Sequence, residues 1–160
     1  MIRKATPSDF EFIYELYFHP QTNPFLLYEP MKPAEFEPVF QDLLDKSVLY
    51  VFEQEGKGLG MAKLVPLPHR NSHIAYLGGV AIHPDFAGKG LGEQMILEVL
   101  AQARKNGFQR VELTTATINE RAIRLYEKTG FQKEGILRRF TYLKSEDRFL
   151  DEVMMSCLLD

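Results

Sequence analysis

The stretch that most constrains the fold is Val80-Ala81-Ile82-His83-Pro84-Asp85-Phe86-Ala87-Gly88-Lys89-Gly90-Leu91-Gly92-Glu93, followed by apolar residues at Met95, Ile96, Val99, Leu100 and Ala103. Val80 to Ile82 end a strand, and His83-Pro84-Asp85 breaks it. The three- and four-residue spacing after Gly92 is that of an amphipathic helix. A buried strand running through a tight turn into a helix belongs to an α/β sheet domain. Gly88, Gly90 and Gly92 bare the backbone where the helix starts, and free amides at the positive end of the helix dipole suit phosphate oxygens. A glycine run that only turns the chain is the alternative at this point.

Two nucleotide-binding patterns are excluded by spacing. A P-loop needs Ser or Thr after its lysine, but Gly90 follows Lys89. A dinucleotide fingerprint needs Gly-x-Gly-x-x-Gly, and the third glycine position holds Glu93 or Met95, counted from Gly88 or Gly90. The turn also follows several earlier elements instead of opening the domain.

The order of those elements predicts the architecture. Residues 2–5 read as a short strand. Thr6-Pro7-Ser8-Asp9 starts a helix whose apolar face is Phe10, Ile13 and Tyr17 and which ends before Pro20. Residues 19–33 are irregular, interrupted by Pro20, Pro24, Pro30 and Pro33, and a second helix follows with Phe36, Val39, Phe40, Leu43 and Leu44 on one side. Residues 48–52 and 60–65 form a hairpin about Gly56-Lys57-Gly58. Residues 73–82 are almost continuously apolar, as in a central strand, and Gly78-Gly79 within them marks a bulge or a close approach by another group. A strand over 111–115, a helix over 119–128 stopped by Gly130, and strands over 136–143 and 153–158 complete the chain. The expectation is one α/β (α+β) domain over residues 1–160, with flanking helices on a central mixed, mostly antiparallel sheet of about seven strands.

Composition limits the function. Hydrophobic residues are 45% and charged residues 26% of 160 residues, which excludes wholesale disorder. Lys plus Arg total 19 against 22 for Asp plus Glu, so a duplex nucleic-acid partner is not expected. The single Cys157 excludes an internal disulfide and a cysteine-rich zinc site, and His19, His69, His73 and His83 lack metal-ligand spacing, so no metal is expected. No apolar run approaches the ~18 residues of a membrane span, and the first residues lack the apolar stretch of a signal peptide. A soluble cytoplasmic protein without membrane contact is the expectation.

A second motif lies downstream: Asn119-Glu120-Arg121-Ala122-Ile123-Arg124-Leu125-Tyr126-Glu127-Lys128-Thr129-Gly130-Phe131. Asn119 and Tyr126 stand two helical turns apart, so both can border one groove. Taken alone, Asn119 is a helix cap and Tyr126 a core aromatic with its hydroxyl at the rim.

In this order, the two motifs resemble the GNAT superfamily of acyl-CoA-dependent N-acetyltransferases. The family's later pattern, Asn-x-x-Ala-x-x-Leu-Tyr-x-x-x-Gly-Phe, is matched at Asn119, Ala122, Leu125, Tyr126, Gly130 and Phe131. Its loop pattern, Gln/Arg-x-x-Gly-x-Gly/Ala, is matched at Gly90 and Gly92, while Ala87 stands where Gln or Arg is usual. That departure removes one side chain near the phosphates and leaves the backbone amides. His73-Ile74-Ala75, and the run from Gly135 through Arg138-Arg139 to Asp151-Glu152-Val153-Met154-Met155, resemble the bacterial L-amino-acid N-acetyltransferase subgroup.

The resemblance implies acetyl-CoA as cosubstrate in a V-shaped gap between splayed strands ending near Ile82 and beginning near Val111. Backbone of Val80 and Ile82 would pair with the pantetheine amides. Amides of Gly88, Lys89, Gly90, Leu91, Gly92 and Glu93 would hold the diphosphate, with the Lys89 charge either helping or simply solvated. Asn119 would bond the cofactor arm, and an amide near Ala81 or Ile82 would stabilise the oxyanion. Tyr126 would protonate the CoA thiolate. The family's glutamate position on the central strand falls on Tyr76, so His73 or a held water would take the amine proton. Acceptor specificity would lie with Phe25, Leu26, Leu27 and Tyr28, then Arg138, Arg139 and Tyr142, which suits an apolar amino acid with its carboxylate on an arginine. A protein or peptide acceptor and a non-catalytic acyl-CoA sensor are the alternatives. Homodimers are common in the family, and the C-terminal strands are a candidate interface.

Overall fold

Side-chain alternation along the strands sorts the core into two layers. In β2 (Leu49–Gln54), Tyr50 and Phe52 pack on one side of the sheet, Leu49 and Val51 on the other. The structure is a computed structural model that describes residues 1–160. Under one face lie α1 (Phe10–Phe18) and α2 (Pro33–Asp45), with Ile13, Leu16, Tyr17, Phe36 and Phe40 buried against the sheet. On the other face lie α3 (Leu91–Lys105) and α4 (Glu120–Lys128), carrying Met95, Ile96, Val99 and Tyr126 into the larger core. Both layers come from the helical spacings read above.

With β1 (Ile2–Lys4), β3 (Lys57–Pro66), β4 (Ile74–Ile82), β5 (Arg110–Ala116), β6 (Gln132–Leu143) and β7 (Arg148–Leu158), the sheet has seven strands in the order β1-β2-β3-β4-β5-β7-β6. Only β4 and β5 run parallel. The fold is therefore the mixed, mostly antiparallel α/β sheet expected. No helix is long and apolar enough to cross a membrane, and no group of three or more His, Cys, Asp or Glu is placed to hold a metal ion.

Two local differences from the sequence reading have simple causes. The β2–β3 hairpin turns at Glu55 (φ 52°) and Gly56 (φ 75°), one residue earlier than expected, because a two-residue turn with positive φ at both positions matches strand twist. Strand β6 begins at Gln132, where Gln132 to Gly135 are polar and exposed; their strand character comes from the ladder to β7, which leaves no mark in the hydrophobic pattern.

The ladder between β3 and β4 slips between Met61 and Lys63, opposite Gly78 to Ala81. Gly79 takes φ +58°, and a Cβ there would come within 2.7 Å of the Tyr17 hydroxyl. This is the bulge that Gly78-Gly79 signalled. Gly79→Ala is expected to lose about 2 kcal/mol of stability from the left-handed backbone and this clash. A urea midpoint unchanged from wild type would show that the bulge relaxes freely.

Candidate active site

Pairing between β4 and β5 is confined to Ile74↔Arg110, Ala75↔Val111 and Tyr76↔Glu112. Beyond these residues β4 continues to Ile82 against β3, and β5 to Ala116 against β7, so the two strands diverge. Backbone groups of Leu77 to Ile82 that face the divergence lack a strand partner, and such groups are satisfied by a ligand or water. An extended molecule bearing amides can add itself here as a substitute strand.

Two cavities meet at this opening. One of about 560 Å³ runs from Val80 and Ile82 to the glycine turn at the start of α3, with Gly88, Gly90 and Gly92 on its wall. The other, about 230 Å³, lies between Tyr76, Gly78, Thr114 and Glu152, under Phe25, Leu26 and Leu27 of the irregular segment. Val80, Asn119 and Tyr126 line both, so the junction is where two ligands would touch.

The glycine turn is built to approach an anion. Gly88 (φ +79°) and Gly90 (φ +75°) are left-handed, and a Cβ at either would meet nothing within 4 Å. The space beside them is open for ligand. Gly92 instead gives close contact with α4, since a Cβ there would lie 3.3 Å from Leu125. The preceding turn is pinned by His83, whose Nδ1 accepts the Asp85 N–H at 3.2 Å and whose Nε2 lies 2.8 Å from Glu15. Arg121, Arg124 and Lys128 rim the larger cavity, and Lys128 pairs with Glu93 at 2.8 Å, offsetting the one acidic group on that wall. Lys89 is exposed, its Nζ 5.9 Å from the centre of the Phe86 ring, and does not line the cavity. A diphosphate fits this donor set: a helix N-terminus of fifteen residues with bare glycines and basic neighbours.

Asn119 caps α4, its Oδ1 accepting the Ala122 N–H at 3.3 Å, while the same side chain borders both cavities. The cap and ligand readings are thus compatible. Tyr126 is 7% exposed, its ring 5.6 Å from that of Phe131. Burial, with Tyr76 nearby, raises its phenol above the usual range, so it stands as a neutral O–H donor.

The structure does not bring the remaining sequence candidates to the opening. His73 precedes β4 at the paired end, is exposed, and lines neither cavity; its carbonyl is held by the Gln109 N–H at 2.8 Å. Arg138 and Arg139 are exposed on the outer strand, where the Arg139 N–H binds Asp151 and its guanidinium lies 5.6 Å from the Phe149 ring. Neither arginine nor Tyr142 lines the smaller cavity.

In their place come residues to which the sequence motifs gave no role in the site. Lys63 alternates with Ala62 and Leu64, and Tyr76 with Ala75 and Leu77, all four of which pack in the core under α3. Lys63 and Tyr76 therefore project from the opposite face, as do Thr114 beside Leu113 and Glu152 beside Val153. The Tyr76 hydroxyl is 3.2 Å from the Thr114 hydroxyl, which donates to Glu152 Oε1 at 3.2 Å. Burial raises the Glu152 carboxyl above its usual range. Lys63 is buried with its Nζ 5.4 Å from the Tyr28 ring centre, and burial, with the Lys46 charge adding to it, lowers its ammonium. The signal for Lys63 was present: a lysine in the middle of the apolar strand Leu59-Gly60-Met61-Ala62-Lys63-Leu64-Val65.

The pattern of the acetyltransferase (GNAT) family matches residues 10–131. The chain belongs to the GNAT family. Among curated relatives, the uncharacterized N-acetyltransferase YjgM of Escherichia coli is 37% identical over 83 residues, 52% of this chain and 50% of YjgM. The uncharacterized N-acetyltransferase MJ1207 of Methanocaldococcus jannaschii is 28% identical over 144 residues, 86% of this chain and 62% of that protein. The matches to these GNAT relatives thus span about half to three fifths of their length. The spermidine N-acetyltransferase of Vibrio cholerae, solved with CoA and spermine, superposes with a TM-score of 0.87 at 22% identity over 99% of this chain and 94% of that one. At that identity the likeness shows the GNAT fold alone.

Proposed function

We propose that the protein is an acetyl-CoA-dependent N-acetyltransferase acting on the primary amine of a small acceptor, in the first place an L-amino acid or close analogue. The observation that carries this reading is the divergence of β4 and β5, with a phosphate-suited glycine turn at one end and Tyr126 at the junction of two cavities. In this reading the diphosphate lies on the amides of residues 88–93, the pantetheine arm along Val80 and Ile82, and Asn119 beside it.

The chain's own groups supply three things. Holding both substrates across one junction converts a bimolecular step into a local one. Backbone N–H groups of β4 near Ala81 offer donors to the carbonyl oxygen. Tyr126 gives its proton to the departing sulfur. Acetyl-CoA is consumed as substrate and supplies the activated acyl group.

A small acceptor is favoured over a polypeptide by the path of the irregular segment. Phe25, Leu26 and Leu27 wall the smaller cavity, and the segment that carries them is tied to the end of β6 where Glu29 accepts the Lys144 N–H at 3.2 Å. About 230 Å³ suits an amino acid far better than a chain end. The test is release of free CoA, read with a thiol reagent, from acetyl-CoA mixed with L-amino acids, polyamines, aminoglycosides or peptides. Turnover with small amines is expected. Acetyl-CoA binding with no thiol released by any amine would make the protein a sensor, and turnover with peptides alone would move the acceptor class.

A further inference from the structure

Buried charges are normally paired, because leaving water is costly for each. The smaller cavity breaks this rule twice on one wall. Lys63 is 7% exposed and has no carboxylate within 4.0 Å, and Glu152 is half-buried with no cation within that distance. The two do not pair with each other, although both line the same cavity. Around Lys63 lie the Tyr28 ring, Gly78 and the Tyr76 ring, and a Cβ on Gly78 would lie 3.1 Å from both the Lys63 Cε and the Tyr76 ring. Glu152 has one protein donor, the Thr114 hydroxyl at 3.2 Å. The rest of the wall includes Phe25, Leu26, Leu27, Phe140 and Leu150, which are apolar. The cavity therefore presents one cation, one anion and an apolar cover, set apart from each other.

We propose that Lys63 and Glu152 select a small amine that also carries an acid group, the acid pairing with the Lys63 ammonium and the amine passing its proton to the Glu152 carboxylate. This rests on the acetyltransferase reading above. The complement of the wall is a zwitterion with an apolar side chain, and Lys63 takes the part that sequence reading gave to Arg138 or Arg139. The acceptor ammonium gives one proton to Glu152, and the freed lone pair forms the carbon–nitrogen bond while the carbon–sulfur bond breaks. Tyr126 protonates the sulfur and regains a proton from the nitrogen, and Glu152 returns its proton to water. One amide, one thiol and one proton result. Burial that raises the Glu152 carboxyl makes it a stronger base than an exposed glutamate.

The test compares L-leucine with 3-methylbutylamine, the same skeleton without its carboxylate, by CoA release. Wild type is expected to prefer leucine by about 10- to 100-fold in kcat/KM, the worth of one charge-assisted pair. In Lys63→Met this ratio is expected to collapse to near one through KM for leucine. Removing an unpaired buried cation should leave the melting temperature equal or higher, so loss of the preference would not reflect unfolding. Glu152→Gln keeps an acceptor for the Thr114 hydroxyl, yet kcat for both amines is expected to fall about 100-fold. A leucine preference that survives Lys63→Met, or a wild type that prefers the decarboxylated amine, overturns the inference and leaves the acetyltransferase reading standing. Unchanged kcat in Glu152→Gln removes the base. Silence with every amine overturns the acetyltransferase reading and the inference together.

Discussion

Replacing Tyr126 by Phe is expected to lower kcat by about 10²- to 10⁴-fold, the range for loss of a positioned general acid, while KM for acetyl-CoA stays close to wild type. The ring keeps its packing on Phe131, 5.6 Å away, so the substitution removes one oxygen and little else. Tyr126 lines both cavities, and burial raises its phenol above the usual range. In the proposed mechanism, the phenolate left after sulfur is protonated is then a strong base for the nitrogen's remaining acidic proton. Steady-state kinetics with acetyl-CoA and the acceptor varied in turn separate this role from a packing role. A rise in KM for acetyl-CoA with kcat intact would make Tyr126 a wall of the cavity and no more.

Replacing Gly90 by Asp is expected to weaken acetyl-CoA binding about 10- to 100-fold, through loss of charge-favourable phosphate contacts. Gly90 is the cap residue of α3 at φ +75°, with nothing within 4 Å of a Cβ built on it. Asp is among the residues that tolerate a left-handed backbone and favour helix starts, so the fold should survive. The damage falls on the ligand, because a carboxylate now occupies the space beside the exposed amides. Gly90→Asn, of similar size and no charge, should lose clearly less affinity by calorimetry. Equal losses from Asp and Asn would assign the effect to shape, and full affinity in both would mean that the diphosphate does not lie on this turn.

Sequence carried the fold well wherever burial imposed a period. The helices with Phe10, Ile13 and Tyr17, or with Met95, Ile96 and Val99, were legible because one face of each meets the sheet. The start of β6 was not, because Gln132 to Gly135 are exposed and take strand form only from β7. In the site, the glycine turn, Asn119 and Tyr126 were legible because each lies in a contiguous motif. Glu152 and Thr114 were not: their meaning lies in a hydrogen bond across two strands 38 positions apart in sequence. His73 shows the converse. It stands just before β4, at the end where that strand is still paired to β5, and only pairing register reveals which end opens.

The divergence of β4 and β5 is proposed to take acetyl-CoA. Amide hydrogen exchange with and without saturating acetyl-CoA tests it most directly, since it reads the backbone groups themselves. Added protection is expected in Leu77 to Ile82 and in residues 88–93, with the outer strands β1 and β6 unchanged. Protection that spares both segments, or falls only on surfaces remote from Tyr126, would contradict it.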